Sequence, residues 1–122
     1  MNKVYITNSF SINMLPERGT MVDFVPLSCE YVSKWLGATK NEIVSGIGHA
    51  DTAKIVSGLL GIELHPNRIN IKLRVGRGEC DDLIIAQYIG PRLPEGTTML
   101  PEGATIKFWA ANLGMEYCTE PI

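Results

Sequence analysis

The sequence of 122 residues contains no apolar run near the roughly 20 residues that a membrane-spanning helix requires. Its first eight residues become polar too early for a secretory signal peptide, so neither feature is predicted. The chain also has no excess of positive charge: the net charge is −2 and the isoelectric point is about 5.6. These values exclude a generally basic surface that coats duplex nucleic acid, although they leave room for a small basic pocket.

Cysteine and histidine are both scarce. The three cysteines, Cys29, Cys80 and Cys118, lie far apart and form no Cys-x-x-Cys pair, so neither a disulfide framework nor a zinc site is predicted. Two histidines without carboxylates at ligand spacing give no support for another kind of metal site. We therefore expect no metal and no other cofactor, and a reduced, cytoplasmic setting.

The composition that is present is typical of one globular domain. Hydrophobic residues make up 45% of the chain and charged residues 20%, values that argue against a disordered protein. A chain of this length corresponds to one domain and buries roughly two thirds of its unfolded surface, which is enough for one core.

Apolar residues in alternation or in short runs predict five strands. These strands are Val4–Ile6, Met21–Val25 with an end at Pro26, Ile69–Val75, Leu83–Ile89 and Ile106–Ala110. The third is the clearest, because four apolar residues alternate with three polar ones over its whole length. Residues 76–78, Gly-Arg-Gly, predict a turn that makes Leu83–Ile89 the hairpin partner of this third strand.

Capping residues and helical spacing predict three helices. Ser28 is a candidate N-cap for the first helix, whose end is expected at Gly37. Thr39 and Glu42 fit a capping box, which predicts a short second helix through Val44. The third helix is expected to be capped by Asp51 or Thr52, to have its apolar face at Ile55, Val56, Leu59 and Leu60, and to end at Gly61.

This order of elements predicts an α/β fold of the α+β type, with a mixed five-stranded sheet flanked by helices in a single domain. Residues 1–110 form that domain, and residues 111–122 lack a pattern and are expected to be a tail of unknown role. Before the last strand, Leu93-Pro94-Glu95-Gly96 recurs as Leu100-Pro101-Glu102-Gly103. Two copies are too few for a solenoid and predict two tight turns instead.

The densest group of chemically interesting residues is Gly46-Ile47-Gly48-His49. Its glycines allow close approach of a ligand, and the free N–H groups of the helix that follows favour an anion. His49 could donate a proton to a phosphate ester there. The segment is neither a Walker loop nor a dinucleotide fingerprint. The alternative is a turn between helices with a histidine cap, which composition alone favours.

Two arginines could bind phosphate next to this group. Arg68 and Arg92 lie at the ends of predicted neighbouring strands, and the guanidinium fork suits phosphate. Glu95 follows Arg92, but Glu102 has the same local sequence and spacing alone does not choose between them. Four polar residues after the first strand could read a base edge or a sugar hydroxyl, or could form an ordinary turn. They are Asn8, Ser9, Ser11 and Asn13.

Taken together, several segments resemble the viral anti-CRISPR ring nucleases and their bacterial relatives, formerly described as domains of unknown function. The resemblance covers about residues 3–110 and keeps segment order and spacing. Its segments are Val4 to Leu15, Ser45-Gly46-Ile47-Gly48-His49, Asn67 to Leu73, and Arg92-Leu93-Pro94-Glu95-Gly96. It implies a two-fold homodimer whose shared pocket binds and degrades cyclic tetra-adenylate, the second messenger of type III CRISPR systems.

The resemblance also implies roles for individual residues. His49 would be the general acid, Arg92 would stabilise the transition state, and Glu95 would be the acidic partner beside it. Arg68, Gln87 and the loop from Asn8 to Asn13 would hold the substrate. Ile47 and Gly48 would contribute backbone contacts.

The expected reaction needs no metal, because a ribose 2′-hydroxyl attacks the phosphorus and His49 protonates the leaving 5′-oxygen, giving linear di-adenylates. Two other hypotheses stay open: a non-catalytic protein that sequesters a cyclic nucleotide, and a nucleic-acid or protein interaction module. No membrane or duplex DNA is expected as a partner, and the location would be the host cytoplasm if the gene is viral.

Overall fold

Short strands and two α-helices alternate along the chain in the computed structural model, which describes residues 2–17, 20–76 and 79–114. The elements in chain order are β1 Lys3–Thr7, β2 Val22–Leu27, α1 Cys29–Ala38, β3 Glu42–Ser45, α2 Ala50–Leu60, β4 Val75–Gly76, β5 Glu79–Cys80, β6 Asp82–Ile89 and β7 Thr105–Leu113. A 3₁₀ turn at Ile12–Met14 follows β1.

Five of the strands form one mixed sheet with the order β2-β7-β6-β1-β3. Strand β1, which lies between β6 and the edge strand β3, is parallel to both of these neighbours. On the other side, β7 runs antiparallel to β6 and to β2. The mixed five-stranded sheet flanked by helices that the sequence predicts is therefore confirmed.

Both helices pack on one face of this sheet. Val4 and Ile6 of β1 contact a cluster of buried residues contributed by α1, α2, β6 and β7. The remaining fully or nearly fully buried members are Val32, Leu36, Ile47, Ala53, Val56, Leu60, Leu64, Ile84, Ala86 and Phe108. This cluster is the main core. It contains Val56 and Leu60 of the predicted apolar face of the helix after His49, and Ile55 of that face is also buried, whereas Leu59 is exposed.

The opposite face of the sheet is covered by chain that is not helical. Ile71 and Leu73 pack there against Tyr5, Leu83 and Ile85. The N–H of Leu73 donates to the carbonyl of Met14 at 2.9 Å. The extended segment of residues 63–74 and the 3₁₀ turn therefore form a second layer over the sheet.

The prediction of a strand at Ile69–Val75 is therefore wrong. Its alternation is real, because Ile71 and Leu73 are buried while Lys72 is exposed, but the segment lies on the sheet rather than in it. β6 pairs instead with β1 and β7, so the predicted hairpin is also wrong. β4 and β5 form a separate two-stranded ribbon, and residues 77–78 of the predicted turn lie outside the described residues.

The second predicted helix is also wrong, because Glu42–Ser45 is strand β3. The Thr39 hydroxyl accepts the N–H of Asn41 at 3.3 Å, a local turn that leads into a strand instead of capping a helix. Ile43 and Val44 then lie opposite Val4 and Tyr5 of β1. Their β-branched side chains favour this pleated arrangement.

Several boundaries differ from prediction by a few residues. The N-cap at Ser28 is confirmed, since its hydroxyl accepts the N–H of Tyr31 at 3.0 Å, and Gly61 ends α2 with a φ of 70°. Pro26 lies inside β2, which tolerates it as an edge strand. β7 continues to Leu113, beyond the predicted end at Ala110, and the rest of the predicted tail, residues 115–122, lies outside the described residues.

Two further observations concern the cysteines and the membrane. Cys29 is a free thiol whose pKa burial raises, whereas Cys80 is disulfide-bonded, contrary to the sequence prediction. Within residues 2–17, 20–76 and 79–114, no helix has the length and apolar character that crossing a bilayer requires.

Candidate functional site

The carboxyl ends of three neighbouring parallel strands meet at one edge of the sheet. β1 ends at Thr7, β3 at Ser45 and β6 at Ile89, and the chain leaves each strand at this edge. Ligands of sheets with parallel strands commonly bind outside such ends. Three adjoining clefts open here, and Asn8 lines all three.

The largest of these clefts has a volume of about 1120 Å³, and we call it the His49 cleft. His49, Arg92 and Glu95 all line it, together with Asn8 and Gln87. These residues lie between positions 8 and 95 of the sequence, and the fold brings them to one surface. Their side chains are imidazole, guanidinium, carboxylate and amide, a set that can bind phosphate and transfer a proton.

Two smaller clefts flank it. The Arg68 cleft, of about 430 Å³, is lined by Asn8, Ser9, Gly46, Gly48, His49, Arg68, Ile69 and Asn70. The aromatic cleft, of about 510 Å³, is lined by Asn8, Ser9, Phe10, Phe24, Ile85, Gln87 and Trp109. His49 therefore belongs to two of the clefts, and Gln87 joins the largest cleft to the aromatic one.

His49 is the N-cap of α2, which differs from the predicted caps Asp51 and Thr52. Its carbonyl accepts the N–H of Ala53 at 3.0 Å, while its side chain makes no capping hydrogen bond and is exposed. The imidazole therefore stands beside the unpaired N–H groups of the first helical turn. That end of a helix carries partial positive charge and favours a phosphate.

The two glycines before His49 are closely packed by neighbouring side chains. A Cβ on Gly46 would lie 2.8 Å from Cδ1 of Ile71, and one on Gly48 would lie 3.1 Å from Cγ of Arg68. The backbone N–H of Gly46 also donates to the carbonyl of Ile6 at 2.8 Å. The segment thus follows β1 closely and delivers His49 to the sheet edge.

Glu95 and Glu102 occupy two turns of the same kind. Thr97 N–H donates to the Pro94 carbonyl at 3.2 Å, and Ala104 N–H donates to the Pro101 carbonyl at 3.1 Å. The glycine at the third position has a φ of 85° in one turn and 82° in the other, which confirms the predicted tight turns. Glu95 lines the His49 cleft, whereas Glu102 is not among its described lining residues.

A contact that sequence reasoning missed joins the first turn to α2. The N–H of Gly96 donates to Oδ2 of Asp51 at 2.9 Å. Asp51 lies in the first turn of α2, two residues after His49. Local sequence signals could not identify this partner, because 45 positions separate the two residues.

Arg68 is placed beside His49 by its neighbour Asn67, which sequence reasoning had not singled out on its own. The Asn67 side chain donates to the Ser45 carbonyl at 2.8 Å, and its backbone N–H donates to the Ile47 carbonyl at 2.8 Å. These bonds fix the chain against the end of β3. The exposed Arg68 side chain then lies over Gly48, whose carbonyl accepts from Nε at 3.5 Å.

Gln87 is oriented by an aromatic residue that was not predicted in the site. Trp109 donates its indole N–H to Oε1 of Gln87 at 2.9 Å. Lys107 lies over the same indole, with Nζ 4.4 Å from the ring centroid. This bond orients the amide, and Gln87, which lines the His49 cleft, can offer its NH₂ group as a donor to a ligand.

The remaining predicted site residues are placed differently. The Ser11 hydroxyl accepts the N–H of Asn13 at 3.3 Å, and the Asn13 carbonyl accepts from Lys72 Nζ at 2.7 Å. Neither residue lines the three clefts within the described part of the chain. Ile47 is fully buried in the core, and only its backbone is near the site.

The described residues contain no group of three or more His, Cys, Asp or Glu side chains arranged to hold a metal ion. Arg68, Arg92 and the N-terminus of α2 bring positive charge or partial positive charge to the clefts.

Comparison with known proteins agrees with this fold. The chain is 31% identical to B116 of Sulfolobus turreted icosahedral virus, whose structure superimposes with a TM-score of 0.74 over 90% of this chain and 98% of that one. It is 29% identical to Uncharacterized protein ORF117 of Acidianus two-tailed virus over 96 residues, 79% of this chain and 77% of that protein.

A second viral relative is Uncharacterized protein 26 of Sulfolobus islandicus filamentous virus (isolate Iceland/Hveragerdi). It is 30% identical over 94 residues, which are 76% of this chain and 73% of that protein. The model of the STIV B116-like family matches residues 4–108, which include His49, Arg68, Arg92 and Glu95. The chain therefore belongs to the STIV B116-like family.

Proposed function

We propose that this protein is a metal-independent ring nuclease that cleaves cyclic tetra-adenylate into linear di-adenylates. The observation that carries the proposal is the shared position of His49, Arg92 and Glu95 on one open cleft beside a helix N-terminus. Such a cleft combines a proton donor with groups that bind a phosphodiester. The sequence resemblance to viral anti-CRISPR ring nucleases supplies the identity of the substrate.

In the proposed reaction, a ribose 2′-oxygen attacks the adjacent phosphorus as the bond from phosphorus to the 5′-oxygen breaks. His49 gives a proton to the leaving 5′-oxygen, and the 2′-hydroxyl loses its proton to solvent water as the new bond to phosphorus forms. The first product carries a 2′,3′-cyclic phosphate. Arg92 stabilises the negative charge that accumulates on the phosphoryl oxygens, with Glu95 as the acidic group beside it.

Binding is assigned to the groups around the cleft. Arg68 and the first-turn N–H groups of α2 suit phosphates, because both present N–H donors together with full or partial positive charge. Asn8 and the NH₂ group of Gln87 suit the ribose hydroxyls and the adenine edges. Asn8 lines all three clefts and so would contact the ligand in any of them.

The proposed active form is a two-fold homodimer. A ring of four equivalent nucleotides matches two symmetric copies of a site, each cutting one of two opposite phosphates. Partly exposed apolar side chains next to the clefts support an interface there: Ile69 lines the Arg68 cleft, and Phe24 lines the aromatic cleft. Sedimentation equilibrium would measure the oligomeric state, and a monomer would contradict this part of the proposal.

The decisive experiment is incubation of the purified protein with cyclic tetra-adenylate and a chelator, with products separated by chromatography. Conversion of a molar excess of the ring to di-adenylates supports the proposal. An intact ring contradicts it, whether or not the ring binds.

A second candidate, sequestration of a cyclic nucleotide without cleavage, is favoured by one feature. Among the described residues, none orients the His49 side chain through a hydrogen bond, whereas catalytic imidazoles are commonly oriented by a partner. If the protein binds the ring in a stoichiometric complex and no cleavage product forms during prolonged incubation, this candidate is supported instead.

A further inference from the structure

We propose that Asp51 is a positioning residue that holds the turn carrying Glu95 against the N-terminus of α2. This inference rests on the proposed function for its catalytic consequence. Its structural part, the tie between the turn and the helix, stands on the hydrogen bond from the Gly96 N–H to Asp51 alone.

The hydrogen bond crosses the cleft wall between two parts of the site. Asp51 lies two residues after His49, and Gly96 directly follows Glu95. An oxygen of the Asp51 carboxylate accepts the Gly96 N–H at 2.9 Å, a charge-assisted bond of normal length. The bond therefore sets the separation of the His49 and Glu95 backbones, which no local interaction could do.

Other hydrogen bonds at this turn close the turn itself. Apart from the bond to Asp51, residues 94–97 make two hydrogen bonds within the described residues. The N–H and the hydroxyl of Thr97 both donate to the Pro94 carbonyl. These bonds fix the conformation of the turn but do not attach it to the rest of the protein. The hydrogen bond to Asp51 attaches it to α2.

The repeated sequence provides an internal comparison. Pro101–Ala104 forms a turn with the same hydrogen bond and the same glycine conformation. No described side chain accepts the Gly103 N–H, and Glu102 is not among the described residues that line the His49 cleft. The tie to Asp51, rather than the sequence of the turn, thus separates Glu95 from Glu102.

Asp51 is itself held in position. It lies in the first turn of α2, where the helix dipole favours a carboxylate, and it is half-buried. Because the Asp51 carboxylate is held in position, the turn that bonds to it is held as well. Small displacements of groups in an active site lower the reaction rate by large factors. Loss of the tie would move Glu95 and Arg92 relative to His49 while leaving each side chain intact.

The test compares Asp51→Ala with Asp51→Asn in the full chain. Asparagine keeps an oxygen that can accept the Gly96 N–H, whereas alanine does not. NMR-detected amide exchange of Gly96 reports the bond directly, and Gly103 is the internal control. We expect faster exchange at Gly96 only in Asp51→Ala, with Gly103 unchanged in both variants.

Turnover of cyclic tetra-adenylate tests the consequence. We expect kcat to fall about 10- to 100-fold in Asp51→Ala with a much smaller change in KM, and substantial recovery in Asp51→Asn. Unfolding by urea shows whether a weaker helix explains the loss, since that would lower stability in both variants. Unchanged Gly96 exchange, or unchanged turnover after the bond is lost, would overturn the inference.

A wild-type protein that does not cleave the ring would contradict the proposed function instead. The exchange measurement needs no substrate, so in that case it decides alone whether Asp51 holds the turn.

Discussion

Arg74 forms a two-point ion pair with Asp81, whose side chain is fully buried. Nη2 lies 3.0 Å from Oδ1, and Nε donates to Oδ2 at 3.1 Å. The same carboxylate accepts the backbone N–H groups of Lys3 and Arg74, each at 2.9 Å. One side chain thus connects the start of β1, the start of β6 and the end of the extended segment that covers the sheet.

We predict that Asp81→Asn destabilises the protein by about 2–4 kcal/mol at neutral pH, because it removes a buried charge that has several donors. This loss of stability is at the lower end of the range for breaking a buried ion pair, because the Arg74 side chain is 37% exposed and stays partly hydrated. Urea unfolding measures the change. A loss below about 0.5 kcal/mol, the usual range for surface changes, would contradict the prediction.

The pKa values of the neighbouring residues Asp81 and Asp82 are shifted in opposite directions, so we expect their contributions to stability to change oppositely in acid. Burial acts to raise the pKa of Asp81, but bonds from Arg74 and Lys3 outweigh it and hold that pKa below its ordinary value. Burial, with the adjacent Asp81 charge, raises the pKa of Asp82.

Asp81 therefore stabilises the fold above its unfolded pKa of about 3.9, and that contribution is lost as the pH falls through its lower folded pKa. Asp82 costs stability at neutral pH; the cost begins to fall as the pH drops through its raised folded pKa and is gone below its unfolded pKa of about 3.9. We expect Asp82→Asn to stabilise at pH 7 and to match wild type in acid. Urea unfolding of wild type and Asp82→Asn over a range of pH measures both effects. If Asp82→Asn lowers stability at pH 7, the predicted cost of the Asp82 charge is wrong.

Some local signals predict the structure correctly, but distant contacts decide the elements that the sequence predicts wrongly. One of these is Ile69–Val75, whose alternation is the clearest strand signal in the chain but whose Ile71 and Leu73 pack onto the sheet. The Ser28 cap and the apolar face of α2 are properties of adjacent residues. Thr39 and Glu42 suit either a helix start or a turn, and pairing of Ile43 and Val44 with β1 decides the outcome. Such pairing joins residues 39 positions apart and leaves no local trace.

The same distinction applies to the site. Gly46, Gly48 and His49 form one short segment that the sequence identifies, while the hydrogen bonds that position other site residues join distant parts of the chain. Asp51 bonds to a residue 45 positions away, and Trp109 bonds to one 22 positions away. The functional assignment of His49, Arg92 and Glu95 came from resemblance and stays a prediction.

We predict that His49→Ala lowers turnover of cyclic tetra-adenylate by about 10²- to 10⁴-fold, the usual contribution of a proton-transferring side chain. The exposed imidazole makes no capping bond, so stability and ring binding should change little. His65→Ala is the matched control, because that exposed histidine contacts only Glu63 on the surface in the described part of the chain. Single-turnover kinetics and calorimetric binding measure the two effects, and cleavage at the wild-type rate would remove His49 from the mechanism.

The repeated turns offer a paired substitution. Glu95→Gln and Glu102→Gln make the same chemical change in two turns with the same backbone, but Glu95 lines the His49 cleft. We expect a loss of turnover in Glu95→Gln and near wild-type turnover in Glu102→Gln. Steady-state kinetics on both variants checks this, and equal effects would show that the position of Glu95 carries no catalytic role.

Gly48→Ala tests whether Arg68 binds the ring through its place beside His49. The added methyl group would lie 3.1 Å from Cγ of Arg68, so this exposed and flexible side chain must shift. We expect little loss of stability, because the shift occurs at the surface. We also expect weaker binding of cyclic tetra-adenylate. Calorimetry measures this binding in proteins that also carry His49→Ala, which prevents turnover. Arg68→Ala should weaken binding similarly, and the double change should add little, because both alter the same contact. Full additivity would mean that Gly48 acts through its backbone rather than through Arg68.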